Sequence, residues 1–393
     1  MAVKLFTGDL REKKAIYDEF LDEEGIPVHR AIAGVEDVKE LPRGKWARMG
    51  GRGTYVVIEG VRQEGSGLYV AEIPGGGALE PEKHMYDELI YILQGRGLAE
   101  VWQEGGPKRT FEWGKGSLFA MPTNAWHRLM NGGREPVLFF AKTNAPTVMK
   151  AFRNTDFIFN CDHKFTDRFG GEADYFIASK EARTREGPRT FWTTNFVPDL
   201  LSMVYDDMPE KVEGGQLTFF RMSSWEYNHT SGWPAGVYHM AHYHGPGALL
   251  LGLSGEGYAL IWPKRCGPHP YRDGYGDQVV KANWKEGSIY SPYGEYGMWG
   301  ESFHQHFNTG KVEARHLAMQ NSTDSRRGAL AERRTTGEHK NIRDGGGNLA
   351  YEDEDPEIRR QFIAALKKNG VKFTMKPVVY RTDVDVLKSK IRW

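Results

Sequence analysis

His242 and His244 stand two positions apart in the run Ala241-His-Tyr-His-Gly245. Side chains alternate across a strand with a period of two, so both imidazoles would face the same way and could reach one metal ion. The run Phe303-His-Gln-His-Phe-Asn308 holds a second such pair, His304 and His306, which would share a strand face. Imidazole suits Fe(II), Ni(II), Cu(II) and Zn(II). Three neutral histidines would leave a divalent ion with its full charge and with open coordination positions, which suits an anionic ligand beside dioxygen.

The elements that must position these residues are strands. From about Thr54 the sequence breaks into short apolar runs separated by glycine turns: Tyr55-Val-Val-Ile-Glu, Gly67-Leu-Tyr-Val-Ala-Glu, Leu89-Ile-Tyr-Ile-Leu and Gly97-Leu-Ala-Glu-Val-Trp, then residues 117–121 and 137–142. Runs of this length and composition read as strands. A second strand-rich stretch covers residues 216–319, with runs at Leu217–Met222, Gly236–Met240, Tyr258–Trp262 and Ser288–Ser291. Residues 9–25 read as a helix, with capping-box spacing between Asp9 and Glu12, a face of Ile16, Phe20 and Leu21, and Gly25 as the stop. A terminal helix is expected from Pro356 to about Lys368, capped by Asp355 and stopped by Gly370. Residues 150–190 show no clear period and read as a crossover, and 322–350 as an exposed loop or arm.

With 393 residues the chain suits two domains, and 47 glycines favour an all-β protein with tight turns. The 52 basic and 52 acidic residues balance without a long basic run, which argues against a nucleic-acid partner. No run of about 18 apolar residues is present, which argues against a membrane span. The first residues lack a signal-peptide pattern and the two cysteines make no disulfide framework, so a cytoplasmic protein is expected.

The two strand-rich stretches repeat each other. Glu88-Leu-Ile-Tyr-Ile-Leu-Gln-Gly-Arg-Gly97 aligns with Ala248-Leu-Leu-Leu-Gly-Leu-Ser-Gly-Glu-Gly257, Trp102 with Trp262, and Gly116–Pro122 with Gly287–Pro292. The spacing is too long for a solenoid and fits two copies of one β domain.

The residues of both copies resemble the cupin family. Its first motif, two histidines, a glutamate and a closing glycine, is matched by Glu82, His84, Glu88 and Gly95, and again by His242, His244 and Gly255. Its second, with Gly, Pro, His and Asn, is matched by Gly116, Pro122, His127 and Asn131, and again by Gly287, Pro292, His304 and Asn308. The spacing of His304 to Asn308 repeats that of His127 to Asn131, which favours His304 over His306. The resemblance implies an all-β fold of two cupin (double-stranded β-helix, jelly-roll) barrels in tandem, with short flanking helices at both termini. The expected division is a helical arm at 1–50, a first barrel at 51–165, a crossover at 166–212, a second barrel at 213–322, and a loop and helix at 323–393. Each copy departs from the pattern. Glu82 replaces a histidine in the first, and Ala248 replaces the glutamate in the second. The resemblance therefore implies Glu82, His84, Glu88 and His127 as the ligand set of the first copy, and His242, His244 and His304, with His306 as the fallback, as that of the second. The first set, with two imidazoles and two carboxylates, has a competing reading as a pocket held by hydrogen bonds, with Glu88 bonded to His84 or His127, because a buried carboxylate needs a metal, an imidazolium or a set of donors. A residue insertion at about 293–303 separates Pro292 from His304.

A glutamate-less three-histidine set is similar to that of the ring-cleaving dioxygenases of the gentisate and 1-hydroxy-2-naphthoate type, bicupins that use Fe(II). In those the working iron is usually in the N-terminal barrel, whereas here the three-histidine set is C-terminal. The resemblance implies an Fe(II) dioxygenase acting on a hydroxylated aromatic or small carboxylic acid, with dioxygen as co-substrate, in a homo-oligomer. Arg221 has two readings: a surface arginine, or a clamp for the substrate carboxylate, which a planar guanidinium suits. Two alternatives remain, a Mn(II)-dependent decarboxylase or isomerase of the oxalate type, and a non-catalytic bicupin that holds a small ligand.

Overall fold

Strands of the first half are buried on both faces, and their alternation divides them between two cores. On Arg52–Ile58, Gly67–Ile73, Glu88–Gln94 and Val137–Thr143, one set (Tyr55, Val57, Tyr69, Ala71, Ile90, Phe139) fills a barrel interior. The intervening set (Val56, Leu68, Val70, Leu89, Phe140) packs outward against Leu249, Leu251, Ile289, Leu317 and Met319 of the second half. A run that must satisfy two cores reads as continuously apolar, and each fully buried Leu, Ile or Phe contributes roughly 1.5–3 kcal/mol.

A computed structural model of the chain describes residues 15–58, 65–177, 182–186, 189–207, 212–222, 225–243, 249–291, 302–319 and 340–391. It is all-β in character, two cupin-type barrels in tandem with few helices. In the first barrel an eight-stranded sheet faces a three-stranded one built from Arg96–Trp102, Arg109–Gly114 and Trp126–Asn131. In the second, a nine-stranded sheet faces a five-stranded one that contains Glu256–Pro263 and Ser302–Asn308.

Each half lends a short strand to the other. Gly34–Val35 pairs antiparallel with Ile289–Tyr290 at the edge of the nine-stranded sheet. Phe196–Val197 pairs with Leu118–Phe119 of the first barrel. The first contact needs glycine, because a Cβ on Gly34 would lie 2.4 Å from the Ile289 carbonyl oxygen.

Several expectations change on the structure. The first helix spans Ile16–Glu24 and ends at Gly25, with φ 66°, whereas Asp9 and Glu12 lie outside the described residues. The stretch 150–190 holds structure that its polar sequence hid: helices Ala145–Phe152 and Thr155–Asn160 and the hairpin Ala182–Glu186/Arg189–Thr193. Gly236–Met240 is not a strand; Tyr238 makes an isolated bridge to Phe307. The end of the segment read as an exposed arm is buried at Ile342 and Leu349, and Asn348–Leu349 pairs with Ala241–His242. The terminal helix Pro356–Asn369 forms as expected, capped by Asp355 and closed by Gly370, and Ile358, Phe362 and Leu366 join the core of the second barrel.

Candidate metal centres

In the first barrel, antiparallel bonding between Glu82 and His127 fixes one side of the site: each amide donates to the other's carbonyl, at 3.0 and 2.8 Å. His127 lies on Trp126–Asn131, and Glu88 opens the strand Glu88–Gln94. His84 Nδ1 lies 2.8 Å from the Tyr86 carbonyl, and His127 Nδ1 lies 3.0 Å from that of Ala125. A carbonyl only accepts, so both Nδ1 atoms carry the proton when the ring is neutral, and both Nε2 atoms present a lone pair. Those two Nε2 atoms are buried and make no hydrogen bond.

The carboxylates converge on the same point. Glu88 Oε2 lies 3.4 Å from His127 Nε2 and 3.8 Å from His84 Nε2, and Glu82 Oε1 lies 3.9 Å from His127 Nε2. Donor atoms ~2.1 Å from one ion stand roughly 3–3.4 Å apart, so the spacing is near that of a ligand shell. Glu82, His84 and His127 each offer a donor atom, all within 4.8 Å of one another. Glu88 is held on its other oxygen by the Tyr69 hydroxyl, and Glu82 by Arg48, whose Nε also lies 2.9 Å from Glu24. Burial pushes the Glu88 carboxyl up, but His127 and His84 outweigh it and hold the group well below the usual carboxylate range. Burial pushes His127 down, and the Glu88 and Glu82 carboxylates reverse this and raise it. Met49, Leu79, Ile90, Leu129 and Phe139 supply the apolar wall.

The second barrel builds its cluster on two adjacent strands. His242, on the short strand Ala241–His242, is the register partner of His304 on Ser302–Asn308, and their rings stand 4.2 Å apart. His306 follows two positions on, so it shares the inward face of that strand. His242, His304 and His306 each offer a ring nitrogen, all within 4.8 Å of one another, and all three are buried. His242 Nδ1 lies 3.0 Å from the Met240 carbonyl, which turns its Nε2 toward the cluster. No carboxylate joins this group among the described residues. Both first choices on these strands, His242 and His304, are therefore brought together, and the fallback His306 stands with them. His244 lies outside the described residues, as do Ala248, Pro292 and residues 293–301.

Two neighbours of this cluster had no motif to announce them. The Tyr290 hydroxyl lies 3.0 Å from His306 Nδ1 and 3.1 Å from His316 Nδ1. On Ala314–Met319 the alternation of Ala314, His316 and Ala318 against Leu317 and Met319 does place His316 inward, and that was the available signal. Burial, and then the charge of His306, hold His316 well below the usual imidazole range. His239 is buried 5.4 Å from the His306 ring and 4.5 Å from the Trp233 ring, although it lies an odd number of positions from His242. Strand alternation does not apply across residues 239–242, because only Ala241–His242 is strand there. Arg221 lies on Gln216–Met222, opposite the face of Phe220 and Met222, with its guanidinium 4.4 Å from the Phe191 ring. Cys161 and Cys266 are free thiols.

Both donor sets fit a divalent metal. The first offers two unbonded Nε2 atoms between carboxylates, and the second offers three converging imidazoles.

Comparison with known proteins finds similarity over part of the sequence and to solved structures. Residues 69–141 match the cupin domain family. Among solved structures, a deletion mutant of Bacillus subtilis oxalate decarboxylase is similar at 12% identity over 88% of each chain, with a TM-score of 0.46. The coconut allergen cocosin is similar at 13% identity over 75% of this chain and 86% of its own, with a TM-score of 0.47. No curated protein sequence matches the chain. No helix among the described residues is long and apolar enough to cross a membrane.

Proposed function

We propose that this protein is a metal-dependent oxidoreductase whose chemistry is done in the second barrel. The observation that carries the reading is the buried His242, His304 and His306 cluster, which has converging ring nitrogens and no carboxylate among the described residues. His244 is proposed as a further ligand of the same centre. Such a set leaves the charge of a divalent ion uncompensated, so an anionic ligand is favoured there. Iron(II) held by these histidines would supply a centre at which a hydroxylated aromatic or small carboxylic acid meets dioxygen, with cleavage of a carbon–carbon bond as the outcome.

The chain's own groups have separate tasks. His242 is oriented by its bond to the Met240 carbonyl, and its pairing with His304 fixes the distance between two of the rings. Trp233 and Trp284 are each at most 2% exposed and stand against the His306 and His316 rings, and these buried indoles keep water from the site. Arg221 is proposed as the carboxylate anchor, by virtue of its planar guanidinium and its place on the face turned away from the inter-barrel core.

A second reading is favoured by the first barrel. Glu82, Glu88, His84 and His127 form a carboxylate-rich set, which suits Mn(II) and a decarboxylation or isomerisation of a small acid. Elemental analysis with oxygen-electrode assays separates the two. Purified protein is expected to carry iron, to consume dioxygen with a hydroxylated aromatic acid, and to lose both properties in the second barrel on His242→Ala or His304→Ala. If those variants keep the full metal content, the second barrel is not the metal centre. If oxygen is not consumed across a broad panel of such acids, the oxygenase reading falls.

A further inference from the structure

The hydroxyl of Tyr290 bridges two buried imidazoles that come from different strands. It lies 3.0 Å from Nδ1 of His306 and 3.1 Å from Nδ1 of His316. His306 sits on one sheet of the second barrel, whereas Tyr290 and His316 sit on the facing sheet. All three side chains are buried. A phenol has one proton to donate, so it donates to one ring and accepts from the other, and only two arrangements are open to the neutral trio.

In the first, His306 Nδ1–H donates to Tyr290, Tyr290 donates to His316 Nδ1, and the His316 proton is on Nε2. His306 then presents its Nε2 lone pair. In the second, every bond is reversed: Tyr290 donates to His306 Nδ1, His316 Nδ1–H donates to Tyr290, and His306 carries its proton on Nε2. A protonated Nε2 cannot ligate. We infer that Tyr290 and His316 are positioning residues that commit His306 to metal binding, by holding the trio in the first arrangement across the barrel. The inference rests on the reading of the His242, His304 and His306 cluster as a metal centre. The far end of the chain supports the same direction. His316 Nε2 is buried and without a hydrogen-bond partner, and the His316 ring stands 4.4 Å from Trp284 and 4.9 Å from Trp233 at near-perpendicular angles. An N–H there can rest against an indole face, whereas a bare lone pair cannot.

The test uses the full chain and Zn(II), which is diamagnetic. Histidine ¹⁵N spectra of the Zn(II)-loaded wild type are expected to show His316 as the Nε2–H tautomer and His306 protonated on Nδ1. Tyr290→Phe removes the bridge with little change of volume, and is expected to weaken Zn(II) at the second site by on the order of 10–100-fold, the range found when an outer partner of a ligating histidine is lost. His316→Leu, which removes the acceptor, is expected to act in the same direction. If Tyr290→Phe does not fold, the wild-type tautomer decides. A Zn(II)-loaded protein with His316 protonated on Nδ1, or a folded Tyr290→Phe that binds Zn(II) within about twofold of wild type, overturns the inference while His242 and His304 remain ligands. A wild type whose Zn(II) content is unaffected by His242→Ala and His304→Ala overturns the metal-centre reading itself, and the inference with it.

Discussion

The imidazoles of the first barrel stand among charges, and those of the second stand among rings. His84 and His127 face Glu82 and Glu88, and those carboxylates are tied in turn to Arg48 and Tyr69. His242, His304 and His306 have His239, Tyr290, Trp233 and His316 around them. The same motif positions thus yield two electrostatic environments. A metal in the first barrel has its charge largely answered by protein anions and has less call for an anionic ligand. A metal in the second keeps its charge and must find an anion from outside. Burial raises the stakes in both, because uncompensated charge is far costlier inside a protein than in water.

The sharpest way to break this contrast is to neutralise the first barrel. Glu88→Gln keeps the shape of the side chain and removes its charge. It is expected to lower Mn(II) or Zn(II) affinity of the first site by on the order of 10–100-fold and to leave the second unchanged, as read by isothermal titration. An equal loss in both barrels would show that the two centres are not independent.

The next effect falls on the arm that crosses from the first half to the second. Gly34→Ala forces a Cβ against the Ile289 backbone. It is expected to destabilise the second barrel by about 1–3 kcal/mol, read as a lower midpoint for its unfolding in urea. An unchanged midpoint would mean that the edge strand is dispensable.

The smallest effect sharpens the contrast at the outer face of the second barrel. Glu354 is buried there, accepting hydrogen bonds from the Tyr238 hydroxyl and from Gln305 Nε2, the latter at 3.3 Å. Burial pushes its carboxyl up to about 8. A folded-state value above the unfolded one means that the native protein holds the proton more tightly. The associated stability is complete below the unfolded value near 4.5 and is lost as pH rises through about 8. The melting temperature is expected to fall by a few degrees between pH 5 and pH 8 on this account. Glu354→Gln, which has no proton to lose, should flatten the slope; an identical slope in the variant would assign it to other groups.

How much of this was legible in the sequence depends on how local the cause is. The alternation that turns His304 and His306 to one side is a property of the strand Ser302–Asn308 itself. The caps of Pro356–Asn369 are equally local, since Asp355, Pro356 and Gly370 act within one turn of their own helix ends. What the sequence hid is long-range. Nothing near Arg48 signals that it will pair with Glu82, because the pairing depends on a turn that packs against a distant strand. Alternation counted back from His242 does not find His239 beside the His306 ring, because the strand there is only Ala241–His242. Residues 145–160 are amphipathic only with respect to a barrel mouth, where Ile158 and Met149 are buried, and a helix of six or eight residues leaves little period to read.

The exchange of edge strands has a bearing on how the chain can be divided. Ser288 donates to the Glu36 carbonyl, 252 positions away, beside the Gly34–Val35 pairing. The duplicated halves therefore no longer correspond to two separable proteins. Cut between them, the second would expose the edge of Ile289–Tyr290 and the first that of Leu118–Phe119, and exposed edges invite pairing with other chains. During synthesis the strand Gly34–Val35 exists long before its partner, so the sheet that carries Tyr290 can close only when nearly the whole chain is available. The arm of the first half thus ties the two barrels into one folding unit.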